Sequence, residues 1–84
     1  MALTLTEVRR IASDVARHDY PDVDVLGVTP REGSSTSAEV IFAIRACDHE
    51  PCRVLIGVSR QISEGECRGT VRAQLQERLA RRAS

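Results

Sequence analysis

The stretch that most constrains this chain runs from Ala38 to Arg60, where two apolar runs are separated by a short connection holding charged residues and a proline. In the first run Val40, Phe42, Ile44 and Ala46 alternate with Ile41, Ala43, Arg45 and Cys47. In the second, Cys52, Val54, Ile56 and Val58 alternate with Arg53, Leu55, Gly57 and Ser59. A period of two is the signature of a strand with one buried face, so the stretch reads as a β-hairpin. Bringing the two apolar faces together sets Ala46 opposite Cys52, Ile44 opposite Val54, Phe42 opposite Ile56 and Val40 opposite Val58, with residues 47–51 as the connection. A slip of one residue would turn a whole set to the wrong side, and Pro51 then sits where no ladder donor is needed.

The elements on either side follow from their own spacing. Thr4-Leu5-Thr6-Glu7 has the form of a capping box and opens a helix. Leu5, Val8, Ile11, Ala12, Val15 and Ala16 form its core-facing stripe, Arg9, Arg10, Asp14 and Arg17 face water, and Pro21 ends it near Tyr20. Asp22 to Thr29 alternates as an edge strand closed by Pro30, and Arg31 to Ser37 is a Gly/Ser-rich loop. Ser63-Glu64-Gly65-Glu66 repeats the capping spacing before a second helix, whose stripe of Cys67, Val71, Leu75 and Leu79 is narrow.

The expected fold is therefore a single α+β domain over residues 1–84, in α-β-β-β-α order. Its three-stranded antiparallel sheet is a meander, and both helices lie on one face. That leaves the other face bare. Leu26, Val28, Ile41, Ala43 and Leu55, rimmed by Arg45 and Arg53, form an apolar patch there and are the candidate partner-binding residues. A domain of this length buries roughly 60–65% of its unfolded surface, so self-association would help it. The partner expected is another protein or a second copy of the chain.

Other readings find less support. The chain is formally neutral, but residues 1–42 hold four arginines and seven acids (net −3) and residues 43–84 eight arginines and five acids (net +3). All twelve basic residues are arginine, which points to a GC-rich bacterial genome. Arg60, Arg68 and Arg72 gather near the start of the second helix and are the candidate nucleic-acid contacts. The element order resembles that of the double-stranded-RNA-binding domain, in which the start of the second helix meets phosphates. Glu64 and Glu66 put negative charge at that place, and Tyr20 and Phe42, the two aromatic residues, make no stacking platform.

No nucleophile stands at a persuasive spacing from His18 or His49, so no enzyme is expected. Cys47-x-His49-x-x-Cys52 has the residue types of a zinc site, but Cys67 should lie about 25 Å away along the strand, and neither a metal nor a cofactor is expected. In the favoured register Cys47 and Cys52 face opposite sides of the sheet, whereas a four-residue loop would let them meet; their bonding therefore reports on the register. No signal peptide or membrane span is evident, which implies a cytoplasmic protein with three reduced cysteines.

Overall fold

The computed structural model describes residues 2–33, 36–45, 47 and 52–83. Its elements run α1 (Leu5–Asp19), β1 (Val23–Pro30), β2 (Ser37–Ile44), β3 (Arg53–Ser59) and α2 (Glu64–Ala83). The strands form one antiparallel sheet in the order β1-β2-β3, and both helices pack on the same face of it. This is the α+β meander expected from the pattern of apolar residues.

The capping box of α1 is complete. The Glu7 amide donates to Thr4 Oγ1 and the Thr4 amide to Glu7 Oε1, both at 3.1 Å, so two amides without helical partners are satisfied. The Tyr20 amide still reaches the Ala16 carbonyl, and Pro21 then stops the helix. On α2 the Glu66 amide donates to Ser63 Oγ at 3.1 Å.

The stripes of both helices meet over the sheet. Val8, Ile11, Val15, Val71, Leu75 and Cys67 are fully buried, together with Val40 and Phe42 of the central strand and Ile56 of β3. Burying each large apolar side chain stabilises the fold by roughly 1.5–3 kcal/mol, and among the described residues no polar side chain is buried with them. Arg60 ties the open corner of the domain together. Its amide donates to the Thr36 carbonyl, its Nε to the Leu3 carbonyl at 2.8 Å, and its own carbonyl accepts from the Leu3 amide.

The hairpin register differs from the expected one by two residues. Phe42 pairs with Val54, Val40 with Ile56 and Ala38 with Val58, and the Ile44 amide donates to the Cys52 carbonyl. A shift of two keeps every side chain on its face, which is why the apolar pattern could not choose between the two. The observed register is closed on the β3 side by the bond from the Ile44 amide to the Cys52 carbonyl, while the Arg45 amide turns the other way and donates to the Asp22 carbonyl beside β1. The paired positions assigned to Ala46, and the turn residues His49 and Pro51, lie outside the described residues.

Candidate functional site

The sheet face turned away from the helices is ordered in three rows across the strands. These are Asp24–Ala43–Arg53, Gly27–Ile41–Leu55 and Thr29–Glu39–Gly57. A β-bulge between Val25 and Gly27 inserts Leu26 beside the middle row, because two residues of the bulged strand oppose one of its neighbour. Leu26 and Leu55 are the exposed large apolar residues of the described chain, at 47% and 50%. Ile41 and Ala43 between them are half-buried.

Val28 is a correction. It pairs with Val40 and packs against the core, since the bulge turns every residue after it by one position and brings Val28 inward. Strict alternation from Leu26 would have kept both on one side. Arg45 lies at the rim and grips Asp24 through both Nε (2.5 Å) and its terminal nitrogen (2.6 Å). That bidentate contact holds the Asp24 carboxyl below the usual range and raises the Arg45 guanidinium. Arg53, at the opposite rim, is exposed.

The three arginines proposed for nucleic acid are engaged with the protein itself. Arg60 holds the Leu3 carbonyl, Arg72 bonds Asp19 on α1 at 2.6 Å, and Arg68 lies 3.8 Å from Asp14 on the same helix. Arg10 pairs with Glu64, so Arg10 and Asp14, expected to face water alone, form an ion-pair seam between α1 and α2. His18 is exposed and hydrogen-bonds Asp19 at 3.1 Å.

These contacts carry a pH prediction. Hydrogen bonds from Arg72 to Asp19, from Arg45 to Asp24 and from Thr4 to Glu7 lower each carboxyl in the folded state. A depressed carboxyl stabilises the fold above its unfolded value and loses that contribution as the pH falls through the folded value. The urea midpoint should therefore hold from neutral pH to about 5 and decline below about 4. Arg45→Ala combined with Arg72→Ala should flatten that decline, and an unchanged slope would show that the pairs do not matter to folding.

The cysteines also depart from expectation. Cys47 and Cys52 form a disulfide with a Cα–Cα separation of 5.7 Å, so the reading of three reduced thiols is overturned. β2 ends at Ile44, so Cys47 lies beyond the strand and outside the alternation that had set the two cysteines on opposite faces. Cys67 is fully buried, and burial pushes its thiol up, the opposite of an activated nucleophile. Among the described residues no group of three or more His, Cys, Asp and Glu could hold a metal, and no helix is long and apolar enough to cross a membrane.

No family model matches the chain, and neither a curated protein nor a solved structure shows significant similarity to it. The residues the sequence reading missed lie around β3, where Arg31, Glu39, Gly57, Gln74 and Arg78 line one groove with the expected Leu55. Arg31 and Arg78 are far apart in the chain and meet only through the fold, so no local signal could have joined them.

Proposed function

We propose that this chain is a non-catalytic protein-interaction module that works through the outer face of its sheet, with a second copy as the first partner to test. The observation that carries this reading is the placement of Leu26 and Leu55, exposed on the side that neither helix covers, with Ile41 and Ala43 between them. The RNA reading has less support, because Arg60, Arg68 and Arg72 are all engaged in contacts within the chain. It would require binding that falls steeply with salt.

Light scattering over a concentration series gives the test. Leu55→Arg and Ala43→Glu should each abolish association while circular dichroism keeps the folded signature and stability stays within about 0.5 kcal/mol of wild type for the exposed Leu55 and within about 1 kcal/mol for the half-buried Ala43. Unfolding of either variant would show that these side chains belong to a core. Association that survives both changes would remove the outer face from the function.

The setting we propose is the bacterial cytoplasm, in keeping with the all-arginine basic set. Thiol-reducing systems act there on Cys47 and Cys52. A bridge found oxidised in rapidly acid-quenched cells would move the protein to an oxidising compartment.

A further inference from the structure

β1 and β3 are both edges of the sheet, but only one is protected. β1 is flanked by Pro21 and ends on Pro30, carries Asp24 next to Asp22, and is broken by the bulge at Leu26. Prolines, charges and bulges are the means by which edges avoid further pairing. β3, Arg53–Ser59, has no proline or bulge and one charged residue.

The ladder shows which groups β3 presents outward. The Ile44 amide bonds the Cys52 carbonyl, so Cys52, Val54 and Ile56 use their backbone groups toward β2. The alternate residues, Arg53, Leu55 and Gly57, then point their amides and carbonyls away from the sheet. Gly57 confirms the phase, since its carbonyl accepts from Gln74 Nε2 of α2 at 2.6 Å.

The charge along this edge is mostly positive. Arg53 lies on the strand, an Arg31 guanidinium nitrogen lies over Gly57 at 3.4 Å from where a Cβ would stand, and Arg78 of α2 lines the same groove. None of the three makes a side-chain ion pair with a described residue. Glu39 is the acid that lines the groove.

We propose that the β3 edge binds an extended acidic segment of another protein, which adds to the sheet as a fourth strand. This deepens the interaction reading above and rests on it. The outward groups of Leu55 supply the backbone bonds, and Leu55 itself meets an apolar residue of the incoming strand. Residues two positions to either side of that apolar residue face Arg53 and the Arg31-covered Gly57, so the segment has the pattern acid-x-apolar-x-acid. Gln74 releases the Gly57 carbonyl as the strand seats. A second copy fits this edge poorly. Pairing β3 with its own copy about Leu55 would set Arg53 of one protomer opposite Gly57 of the other, where Arg31 already lies.

The probe is a labelled, end-capped peptide, Thr-Glu-Thr-Val-Thr-Glu-Thr, titrated into the full chain by fluorescence anisotropy, with backbone amide shifts followed by NMR. The expected result is saturable binding that perturbs the Leu55 and Gly57 amides and weakens with salt. Binding should fall at least tenfold when lysine replaces both glutamates, when the central valine is N-methylated, and in the Arg53→Glu, Arg78→Glu double variant. Gln74→Ala should bind at least as tightly as wild type.

Equal binding of the lysine peptide, or no binding of the acidic one, overturns the proposal, as does a wild-type dimer that the peptide dissociates. Ala43→Glu, on the central strand away from the edge, separates the two readings. A lost peptide signal with association still sensitive to Ala43→Glu refutes the edge site alone. Loss of both refutes the module reading as well.

Discussion

Replacing Phe42 by alanine should cost about 3–5 kcal/mol, the largest single-residue loss expected anywhere in this chain. Phe42 is fully buried on the central strand, between Val25 of β1 and Val54 of β3, in the one core cluster that the helix stripes share with the sheet. It is also the largest fully buried side chain among the described residues, and Tyr20, the other aromatic residue, packs against the core only partly buried. An 84-residue domain has a total stability of roughly 4–13 kcal/mol at typical values per residue, so the variant should be largely unfolded at the lower end of that range. Urea denaturation followed by circular dichroism measures the difference. A loss below about 1 kcal/mol would mean that the centre of the core lies elsewhere.

Reduction of the Cys47–Cys52 bridge should lower stability by about 2 kcal/mol. The bridge closes a loop of about six residues, and the chain-entropy relation for a loop of that size gives about this figure. The effect acts on the unfolded chain, where the link shortens the search that brings β2 and β3 together. Denaturation of the wild type with and without dithiothreitol should show the shift, and a Cys47→Ser, Cys52→Ser variant should match the reduced protein and ignore the reagent. Equal stability of oxidised and reduced protein would show that the hairpin end is already fixed by the Arg45 contacts to Asp22 and Asp24.

Much of this architecture was legible in the sequence because local rules and the global fold agree. Thr4 and Glu7 mark the start of α1, Pro21 marks its end, and the period-two runs mark β2 and β3 with the correct faces. What could not be read arises from contacts between distant segments. The register of the hairpin could not be read, since a two-residue shift leaves the apolar pattern unchanged. Arg68 and Arg72 read as a free basic cluster because their partners Asp14 and Asp19 lie on the other helix. Val28 was assigned to the wrong face since nothing in Val-Leu-Gly-Val announces a bulge except a glycine, which strands also tolerate elsewhere. The candidate face was otherwise readable, as Leu26, Ile41, Ala43 and Leu55 are apolar where a solvated sheet would be polar.

The bulge gives this chain an unusual tolerance to length change. Everywhere else in the sheet, deleting one residue inverts the rest of the strand and throws its buried side chains into water. Removing Leu26 would leave Val25 opposite Phe42, Gly27 opposite Ile41 and Val28 opposite Val40, the pairs that already exist. Homologous chains could therefore differ by one residue at this point and keep the same core, trading an exposed leucine for a straighter and less twisted edge.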